Sequence, residues 1–217
     1  MVAKKNDVIE LSSIKLQTIQ VPILGKNLLM HAWSRKAIQE MLDKQMGKKP
    51  KVREKKDPHA DYMASRYVAA HDDSILGVPC GAFRGAIVRA SSMHNFKMTE
   101  MRQSFFIEED LRIVDGRGGM PGVRLYGDDE MHETMVRLSG KTADIRYRAL
   151  LPKWGAILTI TYLSNLSSEE LVTLVDFAGF SVGICDWRPE KDGEFGRWNV
   201  VNMDELVKEF PEVANAG

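Results

Sequence analysis

Cysteine is nearly missing from this chain: Cys80 and Cys185 are the two thiols in 217 residues. Two are too few for a disulfide framework and lack metal-ligand spacing, so a reduced, cytoplasmic setting is the expectation. Long apolar runs are missing as well. Nowhere do the roughly 18 uninterrupted apolar residues of a membrane helix occur. The polar opening, Met-Val-Ala-Lys-Lys-Asn-Asp, has no apolar run behind it, so no signal peptide is expected. An excess of one charge is absent too, with Lys plus Arg and Asp plus Glu both totalling 30. Long-range attraction to a polyanion is therefore not guaranteed, and the distribution of charge matters more than its sum. There is no internal repeat. Gly116-Arg117-Gly118-Gly119 lacks the Lys-Ser/Thr of a phosphate-binding P-loop and a helix behind it, so it reads as a hairpin connection, and no cofactor is expected.

What is present has the balance of a globular domain: 44% hydrophobic and 28% charged residues. The length suits one domain with insertions. Residues 8–20 alternate as a strand until Pro22 and Gly25 break it. Residues 34–46 read as a helix with Ser34 as N-cap and a stripe of Ala37, Ile38, Met41 and Leu42. The most polar stretch follows, where Lys48, Lys49, Lys51, Arg53, Lys55 and Lys56 face one acid, Glu54. It reads as an exposed loop, and 60–71 as a second helix.

Ala82, Phe83, Ala86, Ile87 and Ala90 recur at helical spacing. Residues 104–114 read as strand, turn, strand, and 115–130 as a glycine-rich acidic loop. Two strands, 143–151 and 154–163, join at Pro152-Lys153. A helix over 167–179 carries a Ser167/Glu170 capping box, with Gly179 placed to end it. A last strand runs from 197 to 201. The order predicts an α+β fold with a ferredoxin-like βαββαβ core, the whole chain 1–217 forming one domain with a helical and basic insertion at 34–76 and a loop-rich one at 115–130.

The loop 183–198 draws attention next. Gly183, Gly193 and Gly196 permit positive φ and close backbone approach. Trp187, Phe195 and Trp198 offer faces on which bases stack, and Arg188, Lys191 and Arg197 can neutralise phosphates. Asp186, Glu190, Asp192 and Glu194 cancel that charge. A long turn whose aromatics cover the core edge is the competing reading.

Two segments add a resemblance. Val78-Pro79-Cys80-Gly81-Ala82-Phe83-Arg84-Gly85-Ala86 resembles the stretch before the first helix of the RAMP (repeat-associated mysterious protein) superfamily, the CRISPR backbone and processing subunits. Ala178-Gly179-Phe180-Ser181-Val182-Gly183, continued by Gly193-Glu194-Phe195-Gly196-Arg197-Trp198, is similar to that superfamily's C-terminal glycine-rich loop. The resemblance implies an RNA-recognition-like fold that grips a nucleic-acid backbone, often by polymerising along it. It marks Arg84, Gly183, Gly193, Gly196 and Arg197 as site residues. The basic run is similar only in character to the thumb-like insertions of the backbone subunits. Cys80-Gly81 replaces a small hydroxylated pair, and the chain is short, which points to a stand-alone relative such as a phage or mobile-element protein.

Three functions follow as expectations. The first is a non-catalytic protein that binds single-stranded RNA or DNA and assembles along it, as a homo-oligomer or a ribonucleoprotein subunit. The second is a metal-independent endoribonuclease with His31 as general acid/base, and His94 behind it. The third is an interaction protein that caps or inhibits a CRISPR-like complex. Asp72-Asp73 beside His71, and Asp128-Asp129-Glu130 with His132, are the acid clusters; solvated loops are the expectation for both, with no metal site. Trp33 and Trp154 are expected in the core.

Overall fold

Alternating apolar side chains build the main sheet. The computed structural model describes residues 14–48, 55–137 and 143–215. Residues 8–13 of the expected first strand, and Lys49, Lys51 and Arg53 of the basic run, lie outside the described residues. In chain order the elements are β1 (Leu16–Leu29), α1 (Arg35–Gln45), α2 (Pro58–Ala64), β2 (Val68–Ala69), β3 (Asp72–Pro79), α3 (Cys80–Ser91), α4 (Met98–Ser104), β4 (Phe105–Ile107), β5 (Leu111–Asp115), β6 (Gly118–Arg124), β7 (Glu130–Arg137), β8 (Ala143–Leu163), α5 (Ser168–Ser181), β9 (Arg197–Val200) and α6 (Met203–Glu209). The chain is α+β. Its main sheet has the order β4-β8-β1-β9 with every neighbour antiparallel, and β7 pairs with the first part of β8.

Leu158, Ile160 and Tyr162 of β8 point into one face, with Val21 and Ile23 of β1 beside them. That face is covered by α3, through Phe83, Ala86 and Ile87, and by α5, through Leu171, Leu174, Val175 and Ala178. Each such large aliphatic or aromatic side chain contributes about 1.5–3 kcal/mol by leaving water. The opposite face is covered only in part. There α6 and the segment behind it bring Leu206, Phe210 and Val213 against Tyr126, Leu24 and Ile157.

Four expectations about these elements change. Pro22 and Gly25 do not break β1, which pairs with β8 from Leu16 to Leu29. Gly25 lies opposite Trp154, and a Cβ there would overlap the indole, so the glycine makes room for a core side chain. Pro152 does not divide β8 either, since β1 supplies partners on both sides of it. Residues 118–124, expected in a loop, form β6, which pairs with β3 and β5 and with β2 closes a small four-stranded unit. Gly179 lies inside α5, whose Ser167/Glu170 capping box is present, and Gly183 at φ 68° ends it.

Ser34 caps α1 through the Ala37 amide, yet none of α1's residues is buried, and Met41 and Leu42 stay 42% and 43% exposed. The second expected helix is short. α2 stops at Ala64, and Ser65 then pins β8 by accepting from the Ala149 amide at 2.8 Å. Among the described residues no helix is long and apolar enough to cross a membrane.

Candidate functional site

The glycine loop is a chain excursion that closes on itself. After α5, the Gly183 amide donates to the Ala178 carbonyl and the Ile184 amide to the Gly196 carbonyl; further out, the Phe195 amide donates to the Trp187 carbonyl. Two more amides, Asp186 to Leu29 and Gly196 to Asn27, fasten the loop to the end of β1. Its glycines serve that closure. A Cβ on Gly193 would overlap the Trp187 carbonyl, and one on Gly196, at φ 69°, the Ile184 carbonyl. Backbone amides expected to position a nucleic-acid strand are therefore spent on the loop itself: those of Gly183, Gly193 and Gly196 all donate to protein carbonyls.

Around this loop the fold assembles two adjoining hollows that share His31. The first, about 280 Å³, lies between the start of α3 (Pro79, Gly81, Ala82) and residues 183–186, with Tyr67, Arg89 and Arg188 on its walls. The second, about 250 Å³, is lined by Trp33, Ser34, Lys56, Asp61, Arg146 and Arg148 among others. An ion pair joins them: Arg148 of the second donates through Nη1 to Asp186 of the first. His31 lies two residues past the end of β1. The residue is exposed, yet partial desolvation between the two hollows pushes its pKa below the ordinary 6.5, the nearby Arg148 and Arg146 push the same way, and Asp186 opposes them. The Tyr67 hydroxyl, raised to about 12 chiefly by burial, donates to the His31 carbonyl at 3.1 Å. Burial likewise lifts the thiols of Cys80 and Cys185, to about 11 and 12, so neither is a thiolate nucleophile at neutral pH.

The expected site residues divide. Lys56, His31, Gly183 and Arg188 come together around the hollows. Arg188 is not free there: its guanidinium forks onto Glu190 at 2.7 and 3.0 Å, and Arg89 takes the same carboxylate at 2.7 Å. Lys56 pairs with Asp144 at 2.7 Å. Lys48, at the far end of α1, pairs with Asp43, and Lys55 is exposed. Lys191 is exposed in a 3-10 turn, Pro189–Lys191.

Arg84 turns away, lying over the Phe106 ring at 4.3 Å and donating to the Arg102 carbonyl. Arg197 alternates with buried Trp198 and so faces the other side of the sheet, 3.5 Å from Glu194. Of the three loop aromatics, Trp187 is 45% exposed and Phe195 half-buried. Trp198 offers no face for stacking. It is 1% exposed, packed against Phe83 and Trp154, with its indole N–H on the Val175 carbonyl at 3.1 Å.

No protein-family model matches the sequence, and no curated protein matches it. Among solved structures, a crystal structure of Cmr6 from Pyrococcus furiosus aligns with a TM-score of 0.39 and 9% identity over 87% of this chain and 100% of that one. A likeness of that size carries no argument about fold or function, and the site rests on its own geometry.

Three wall residues escaped the sequence reading. Trp33, expected in the core, is 40% exposed on the second hollow, its ring centroid 6.5 Å from that of His31. Arg146 and Arg148 sit two apart on β8 and thus share a face of the strand. The signal available was an arginine immediately before the apolar run Ala149-Leu150-Leu151, where an inward-facing charge demands a partner. Among the described residues no cluster of His, Cys, Asp and Glu is arranged to hold a metal ion.

Proposed function

We propose that this chain is a RAMP-type protein on a ferredoxin-like core that binds single-stranded RNA or DNA without cleaving it and assembles along the strand. The path β1-α3-β4-β8-α5-β9 supports the core: numbered along it, the strands lie in the order 4-1-3-2 with antiparallel neighbours, as a split βαβ arrangement requires. Within the single domain, 34–76 and 115–130 are insertions into that path. One observation carries the functional reading. Two segments a hundred residues apart, at Pro79–Ala82 and Gly183–Arg188, wall one hollow that continues at His31 into a second. On those walls Lys56, Arg89, Arg146, Arg148 and Arg188 outnumber Asp61, Asp144 and Asp186, and Trp33 supplies an exposed aromatic face.

The test is an anisotropy titration of labelled single-stranded RNA and DNA at stepped salt concentrations. Affinity should fall with log salt. Replacing Lys56 and Arg146 together by Ala should flatten the slope by about 1.4, roughly 0.7 for each phosphate contact on a single strand. Absence of binding by the unmodified protein at low salt would remove the reading. One observation favours the endoribonuclease alternative: a neutral imidazole, His31, stands at the junction of the hollows. Cleavage of a hairpin RNA in EDTA, lost in His31→Ala, would replace the non-catalytic reading.

A further inference from the structure

We propose that the second hollow is a phosphate-binding pocket whose principal group is the buried guanidinium of Arg148. The proposal deepens the nucleic-acid reading and rests on it for the source of the phosphate, a phosphodiester of the bound strand; free phosphate would use the same chemistry.

Arg148 is 3% exposed and is the one cation in the buried class among the described residues; the Asp115 carboxylate, equally shut off from solvent, is paired with Arg117 at 2.6 Å. A guanidinium presents five N–H donors in a planar fork. Nη1 is occupied by Asp186, while Nη2 is shut off from solvent with no hydrogen-bond partner. A buried cation with a donor left over is costly unless an acceptor reaches it, and a phosphate oxygen is the strongest common acceptor for that fork. Asp186 balances the charge from the side of the first hollow, where its side chain is 31% exposed, but it takes Nη1 and leaves Nη2 without an acceptor.

The surroundings point the same way. Lys56 and Arg146 stand on the same walls and lean on one carboxylate, Asp144, at 2.7 and 3.7 Å. The first turn of the eleven-residue α1, through Ser34 and Ala37, opens onto the hollow and holds no acidic residue, so its partial positive charge is not cancelled there. At His31 the positive field of Arg148 outweighs the opposing field of Asp186. Asp61 is the remaining acid on the wall. Small side chains, Ala32, Ala37 and Ala64, leave the space open. At about 250 Å³ it falls below the roughly 300–1,000 Å³ of drug-sized ligand pockets and suits a small anion.

The experiment has two arms on the full chain. In the first, inorganic phosphate is titrated by 31P line broadening and by thermal shift, with chloride at matched ionic strength as control. The unmodified protein should respond to phosphate beyond chloride. Arg148→Met should abolish the response, and Arg148→Lys, which keeps the charge but loses the fork, should weaken it by about tenfold. Should Arg148→Met fail to fold, the Lys56→Ala, Arg146→Ala double variant must still weaken phosphate binding. In the second arm, inorganic phosphate competes with a labelled single-stranded RNA. A response to phosphate no larger than to chloride overturns the pocket, whatever the RNA does. Phosphate binding that needs Arg148, with no RNA bound at all, supports the pocket and overturns the nucleic-acid reading instead.

Discussion

His31 carries a stability signature of its own. Its imidazole is harder to protonate in the folded chain than in the unfolded one, first because the walls of the hollows partly desolvate it, although the residue stays exposed, and then because of the charges of Arg148 and Arg146, with Asp186 opposing. The native state therefore binds fewer protons than the unfolded state at pH values just under the ordinary 6.5. The sign follows: His31's contribution is intact above 6.5 and is lost as pH falls from there to the folded value. A thermal midpoint measured at stepped pH should drop on acidification from pH about 7 to about 5, and the drop should be smaller in His31→Gln, which cannot charge. Equal drops in the two proteins would show that the imidazole is not held off its proton. The glycines of the neighbouring loop act by contrast through shape alone, since at Gly193 and Gly196 a side chain would meet backbone, which cannot yield cheaply.

Elements in this chain were legible wherever their signals are local. The capping box at Ser167, the Ser34 cap and the stripe through Phe83 and Ile87 each specify a helix from a few neighbouring residues, and each helix is there. What failed to read through was decided by distant partners. Gly179 is an instance with a measurable consequence. Helix propensity alone says that Gly179→Ala stabilises by about 1 kcal/mol. Yet a Cβ there would overlap the Trp198 carbonyl and come within 2.7 Å of its ring, so α5 would have to lift from β9. Such overpacking costs typically about 1–3 kcal/mol, and here the neighbour is backbone, so the loss should win. Set against the propensity gain, the net loss is up to about 2 kcal/mol, so a fall in the thermal midpoint of up to roughly 8 °C is expected, at about 2–4 °C per kcal/mol for a chain of this size; a rise would mean that helix and strand stand farther apart. Gly25 and Pro152 hide in the same way, the one behind Trp154 and the other behind continuous pairing with β1. The site obeys the same rule. Pro79, Gly183 and Lys56 carry visible composition signals, but their meeting at His31 is set by how β1, α3 and the glycine loop stack. Arg148 gave no signal beyond a charge in an apolar strand.

At the scale of the whole molecule, zero net charge gives no overall attraction to a polyanion, so binding would rest on locally clustered cations within about 8–10 Å of it, the reach of a charge at ordinary ionic strength. One protomer's hollows would span few phosphates, and on the proposed reading assembly along the strand would add affinity, each added copy raising the effective concentration of the next contact. The surface has apolar material for contacts between copies: Met41 and Leu42 on α1, with Met131 and Met135 at 50% and 72% exposure on β7, a strand paired on one side only among the described residues. Sizing the protein from its native source with and without nuclease separates strand-held copies from copies held by apolar contacts. On the proposed reading a large species that collapses on nuclease treatment is expected, because the strand and not the protein contacts alone would hold the copies in register. A large species indifferent to nuclease would put the apolar faces first. A nucleic-acid-free monomer, or one that elutes with a different protein, would move the chain to the interaction class, in which α1 and β7 cap a larger complex and the basic walls of the hollows bind no strand.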